Sequence, residues 1–136
     1  MHPLLTALPV LALLAAPVQG AEPQPMSAEE FERYATGKTL YYATGGQPYG
    51  AEQYLGGRRV IWTFLDGECT EGVWYEAEGQ ICFRYEHEPE NPQCWSFYRS
   101  AAGLMARFEN DPAATELVEV SQSREPLLCT GPEVGV

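Results

Sequence analysis

His87 stands in the run Glu86-His87-Glu88-Pro89-Glu90-Asn91-Pro92, an imidazole among three carboxylates. Alternating carboxylates and an imidazole can converge on one cation, and the same groups could act as acid and base in a hydrolysis. Two prolines and a polar composition equally describe a solvated hairpin tip. We adopt the hairpin, because one imidazole with no second ligand cluster is a thin basis for a metal site, and we expect neither metal nor cofactor. His2 falls in a segment expected to be removed, so any Ser-His-Asp or Cys-His arrangement would have to be built around His87 alone. A carboxylate pair needs one raised pKa and a separation of about 5 to 10 Å. Nineteen acidic residues make accidental pairs inevitable. Strand periodicity puts one of them, Glu76, on an aromatic face, where it either reaches solvent at a rim or faces a pocket. Gly56-Gly57-Arg58-Arg59 lacks the spacing of a phosphate loop, and its two arginines either offset nearby acids or bind an anion at the rim. No catalytic residue is assigned.

Cys69, Cys82, Cys94 and Cys129 contain no CxxC, which argues against a zinc or thioredoxin site and for disulfides. Disulfides belong to oxidising compartments, and the N-terminus agrees. Leu4 to Ala16 reads LLTALPVLALLAA, too short to span a bilayer and suited to the apolar core of a signal peptide. Val18-Gln19-Gly20 suits cleavage before Ala21, although the segment opens without Lys or Arg. The expected organisation is a signal peptide over 1–20, a linker over 21–26 and one domain over 27–136, exported to the periplasm or beyond. No further apolar stretch is long enough to span a membrane.

The chain has 136 residues, 45% hydrophobic and 12% aromatic, and a net charge of −11. That content suits one folded domain, and the charge disfavours nucleic acids and anionic bilayers as partners. A basic protein, a cation or a neutral small molecule remains open.

Ser27-Ala28-Glu29-Glu30 is a capping box, which predicts a helix from about Ala28 to Thr36 that stops at Gly37. Beyond Lys38, short runs rich in aromatic and β-branched residues alternate with Gly, Pro and Asp. They predict strands near residues 39–44, 52–55, 59–65, 72–77, 80–85, 93–99, 104–109 and 116–121, with Gly45-Gly46-Gln47-Pro48 as one of the turns. Every connection is too short for a crossover helix, so pairing is antiparallel. The fold class is mainly β: an up-and-down meander of about eight strands, a small barrel or half-barrel, capped by the helix.

A two-residue turn at Glu78-Gly79 places Trp74 opposite Phe83, and a loop centred on Glu88 places Cys82 opposite Cys94. Cys69 is then left for Cys129. By loop entropy the bridges contribute about 3 and about 4 kcal/mol. The same register gathers Val60, Trp62, Phe64, Trp74, Ile81, Phe83, Tyr85, Trp95 and Phe97 on a core face. Tyr41, Tyr42, Tyr49 and Tyr54 form a second cluster, which we read as cover for a sheet edge in preference to a ligand surface.

The ordered set of helix, Gly37-Lys38-Thr39, Tyr49-Gly50-Ala51-Glu52-Gln53-Tyr54-Leu55, Gly72-Val73-Trp74-Tyr75, Ile81-Cys82-Phe83-Arg84-Tyr85 and Gln93-Cys94-Trp95 resembles a group of small exported proteins of unknown function from Gram-negative bacteria. The resemblance covers about Ser27 to Phe108 and implies a periplasmic β-rich domain; it carries no activity and no catalytic residue. The expected function is a non-enzymatic binding or envelope-accessory module that recognises a basic protein or a small ligand. Its candidate binding residues are Trp62, Trp74, Trp95, Glu76, Glu86, His87, Glu88 and Glu90. One form of it inhibits a basic wall-degrading enzyme with an acidic loop. The alternatives are a hydrolase using Glu76 or an acid near His87, and a lipocalin-like carrier with an open cavity lined by the three tryptophans. Oligomeric state is not legible.

Overall fold

The structure, a computed structural model, describes residues 1, 3, 10–16, 23–114 and 116–130. Helix α1 (Ala28–Ala35) precedes eight antiparallel strands that follow one another around a closed barrel. They are β1 (Thr39–Thr44), β2 (Gln47–Tyr54), β3 (Arg59–Thr63), β4 (Cys69–Ala77), β5 (Gln80–Tyr85), β6 (Gln93–Ser100), β7 (Gly103–Phe108) and β8 (Leu117–Ser123). The half-barrel does not form, because β8 returns to pair with β1 and leaves no edge to cover. The tyrosine cluster therefore has another role: Tyr42 and Tyr54 are buried inside the ring.

Local chemistry sets the register. Glu78 and Gly79 take φ of 53° and 75°, the left-handed pair that a two-residue hairpin turn requires. Trp74 accordingly faces Phe83 and Tyr75 faces Cys82, and across the next strand Cys82 faces Cys94. Cys82–Cys94 and Cys69–Cys129 are both bridged, with Cα separations of 4.0 and 5.7 Å.

Two expectations are corrected. The turn over residues 45–48 is two residues long, so β2 starts at Gln47 and carries Tyr49 and Gly50 as well as Glu52. Phe64, expected on the core face, is 57% exposed. Strand β3 ends at Thr63, so Phe64 falls outside the inward–outward alternation of the strand, and Leu65 after it adopts φ of 65° in the connection to β4.

Phe31 closes one end of the barrel. The Ser27 hydroxyl accepts from the Glu30 amide, fixing the start of α1, and the apolar face of the helix drops Phe31 into the ring with no exposed surface. Its ring meets Tyr54, Trp74 and Phe83 edge-on at 5.5, 5.2 and 6.4 Å, and lies tilted on Phe97 at 4.4 Å. Outside, the Arg58 guanidinium sits 4.3 Å over Trp74 and pairs with Glu32 of the helix at 3.3 Å. The C-terminal tail lies on the outer wall, where the Leu127 amide donates to Gln53 and the Thr130 amide donates to the Gly67 carbonyl beside the Cys69–Cys129 bridge.

Val10, Leu11, Leu13 and Leu14 are exposed and outside regular structure. The expected cleavage point before Ala21 lies outside the described residues, as do residues 131–136 of the expected domain. Among the described residues no helix is long and apolar enough to cross a membrane.

Removing the plug leaves a cavity that rigid strands cannot refill. Phe31→Ala should lower unfolding free energy by about 3–5 kcal/mol in urea titrations, whereas Leu128→Ala on the exposed tail should change it by less than about 0.5 kcal/mol.

Candidate functional site at the open end of the barrel

Up-and-down order sends the connections β1–β2, β3–β4, β5–β6 and β7–β8 to the end opposite α1. That end is acidic. The connections hold Asp66 and Glu68, then Glu86, Glu88 and Glu90, then Glu109, Asp111 and Glu116, with no Lys or Arg among them. Six of the chain's 8 basic residues gather at the helix end: Arg33 in α1, Lys38 before β1, Arg58 between β2 and β3, Arg59 at the start of β3, Arg99 over Tyr34, and Arg124 beside Gly37. Glu29, Glu30, Glu32, Glu76 and Glu78 at that end largely offset these cations, so the barrel runs from a nearly balanced helix end to an acidic open end.

Inside the acidic end lies a cavity of about 70 Å³. Its lining combines apolar Phe83, Phe97, Ala106 and Leu117 with Tyr42, Glu52, Tyr54, Trp62, Tyr85, Gln93 and Trp95, while exposed Tyr49, Phe64 and His87 mark where it reaches the surface. Two glycines make this arrangement possible. A Cβ on Gly50 would stand 2.3 Å from the Trp62 indole, and one on Gly72 would stand 2.8 Å from the Tyr85 ring. Trp62 can thus lie across β2, and Tyr85 can lie across β4 and point its hydroxyl at the interior.

That hydroxyl donates to Glu52 Oε1 at 2.7 Å. Beside the pair, the Tyr42 and Tyr54 hydroxyls share a hydrogen bond of 2.9 Å. Glu52 is 1% exposed, and its Oε2 has no protein partner. Burial raises its pKa from 4.5 to about 8, with the Tyr85 bond pulling the other way. The side chain is then mostly a neutral acid at pH 7, with a proton to donate into the cavity and a carboxylate to offer once that proton leaves. Burial likewise pushes the Tyr42, Tyr54 and Tyr85 hydroxyls well above the ordinary phenol range, so they stay protonated.

The structure separates the residues singled out by sequence. Trp62, Trp95 and His87 line the cavity, and the Thr70 hydroxyl lies 3.1 Å from His87 Nδ1. Trp74 is buried at the helix end against Phe31 and Arg58. Glu76 is exposed, one residue from the end of β4 and so at the helix end too. Glu86 borders an outer groove with Phe64, Asp66 and Glu71 next to the cavity mouth, while Glu88 and Glu90 are exposed on their loop. Among the described residues, no cluster of His, Cys, Asp and Glu has metal-binding geometry.

Glu52 and its tyrosines were not among the sequence candidates. The signal was the alternation Gly50, Glu52, Tyr54, but a bulge between Tyr42 and Ala43 shifts the β1–β2 register. Counting from the Gly45-Gly46 turn would set Tyr42 opposite Tyr49 instead of Gly50 and misassign the face. A second carboxylate, Glu119 of β8, is also buried, but its contacts account for it: Tyr34 Oη donates to Oε1 at 2.7 Å, the Leu104 amide to Oε1 at 3.2 Å and Gln122 Nε2 to Oε2 at 3.0 Å. It ties α1, β7 and β8 together.

Comparisons with protein-family models, with curated proteins and with solved structures return no match.

Glu52 gives stability a distinctive pH dependence. Its folded pKa lies above its unfolded value, so the folded state binds the extra proton between pH 4.5 and about 8. Stability from this group is fully present below pH 4.5 and is lost as pH rises through 8. Relative to Glu52→Gln, the wild-type protein should lose roughly 2–4 kcal/mol of unfolding free energy between pH 5 and pH 9, read from urea unfolding at each pH. Parallel stability profiles would place the carboxyl in a solvated setting.

Proposed function

We propose that this protein is an exported, non-enzymatic binding module, and that it works through the acidic open end of its barrel. One observation carries the reading: Glu52, whose buried Oε2 has no hydrogen-bond partner, lines a cavity that opens among exposed aromatic rings. Buried polar atoms are ordinarily satisfied, so a group left free beside an accessible space is reserved for an occupant or its water. Export is supported by the two bridges, which persist in oxidising compartments, and by the signal-like N-terminus. The resemblance to small exported Gram-negative proteins favours the periplasm.

The occupant comes from a basic protein. Eight acidic residues in the connections around the mouth make a field that draws a positive surface and orients its approach. Phe64 and Leu65, 57% and 46% exposed, and Tyr49 beside them offer an apolar rim that such a partner would cover. The cavity supports a partner's side chain better than carried cargo. About 70 Å³ admits a few waters or one small head group, and a drug-sized ligand needs a few hundred. A hydrolase is less well supported: Glu76 stands exposed at the helix end away from the cavity, and the hydrogen bond of the His87 ring is to the Thr70 hydroxyl, not to an acid.

Site-specific photocrosslinking tests the assignment of the mouth. A photoreactive phenylalanine at Phe64 should yield a discrete adduct with a protein of high pI in the native cell envelope, at a level cut severalfold by 0.5 M salt. The same label at Val120, exposed on the outer wall of β8, should not. Adducts from Val120 alone, or equal adducts from both positions, would place recognition elsewhere.

A further inference from the structure

We propose that the group received by the cavity is an alkylammonium, the tip of a lysine side chain on the basic partner, with the Glu52 carboxylate as its counter-ion; this rests on the reading of the mouth as the binding end. Three features of the geometry select it. The walls nearest the opening are the faces and edges of Tyr49, Trp62 and Phe64, mutually 5.3 to 5.9 Å apart, which suit an apolar stem and the cation–π attraction of an ammonium. The lining carries one buried carboxyl oxygen with no hydrogen-bond partner among the described residues, Glu52 Oε2, with the Tyr85 hydroxyl on the other oxygen and the Tyr42–Tyr54 hydroxyl pair in the same lining. The space is small and offers one unpartnered carboxyl oxygen, the other being taken by Tyr85, whereas a planar guanidinium asks for two parallel acceptors.

Entry of the cation displaces a proton. The acid form of Glu52 gives its proton to solvent, the carboxylate remains, and the ammonium keeps its own three protons, one of them directed at Oε2. Net charge in the cavity is unchanged, so the step avoids burying an unpaired ion. The groups that face this carboxyl are Tyr42 of β1, Tyr54 of β2, Tyr85 of β5 and, further out, His87; Glu119 of β8 adds negative charge beyond Tyr42. The tyrosines stay neutral through the working range, which leaves Glu52 as the group in the cavity whose raised pKa governs an incoming cation. With the Glu52 pKa at about 8, occupancy should strengthen as pH rises and level off above it.

The test uses the full exported chain and four soluble probes: Nα-acetyl-lysine amide, its uncharged isostere Nα-acetyl-norleucine amide, Nα-acetyl-arginine amide and free butylamine. Binding is followed by the Trp62 indole N–H resonance and by calorimetry. The lysine amide should shift the indole signal, with affinity rising about tenfold from pH 6 to pH 7 and flattening above pH 8, and with uptake of buffer-dependent heat that reports one released proton. The norleucine amide should bind at least tenfold more weakly. Glu52→Gln should abolish the pH dependence and weaken the lysine amide about tenfold, while His87→Gln should keep the dependence. Butylamine binding as tightly as the lysine amide would assign the ammonium to a free amine and overturn the protein source. Norleucine or arginine amide matching the lysine amide, or a pH-independent affinity, would overturn the ammonium assignment while leaving the mouth as the binding end. No indole shift with any probe, together with crosslinks from Val120 only, would remove the mouth itself.

Discussion

A closed ring of eight short strands encloses a fixed volume, and everything else in this protein follows from how that volume is filled. At one end the filling is apolar and complete. Phe31 arrives from a helix outside the ring and locks Tyr54, Trp74, Phe83 and Phe97 around itself. At the other end the filling is polar and incomplete. Tyr42, Tyr54 and Tyr85 bring hydroxyls inward, Glu52 brings a carboxyl, and one of its oxygens is left over.

The charge distribution repeats this division. Cations brace the plugged end, where Arg58 stacks on Trp74 and pairs with Glu32, and Lys38 lies 4.3 Å over the Tyr34 ring. Acids crowd the connections of the open end. Carboxylates in mutual proximity repel, which works against compactness, and the two disulfides oppose that tendency by fastening β5 to β6 and the tail to the start of β4. The crosslinks thus permit a strongly negative mouth on a small domain.

Much of the frame was legible because it rests on local chemistry. The capping box at Ser27 and Glu30, the turn at Glu78-Gly79 and the two-cysteine hairpin each act over a few residues and each fix a register. What escaped was set by non-local geometry. Ring closure removed the edge that the tyrosines were expected to cover, and the bulge after Tyr42 turned Glu52 inward. A glutamate in an alternating strand reads by default as a solvated residue. Only the absence of Cβ atoms at Gly50 and Gly72, which admits Trp62 and Tyr85 over neighbouring strands, gives that glutamate a cavity to face.

The proposed binding end depends on Glu52 being a buried acid beside the cavity. The most direct measurement is a carbon-detected NMR titration of its side-chain carboxyl in the free protein, assigned with Glu52→Gln. A midpoint near 8, apart from those of the surface acids, is the predicted result. A midpoint near the ordinary 4.5 would mean that the carboxyl is solvated and that no such site exists.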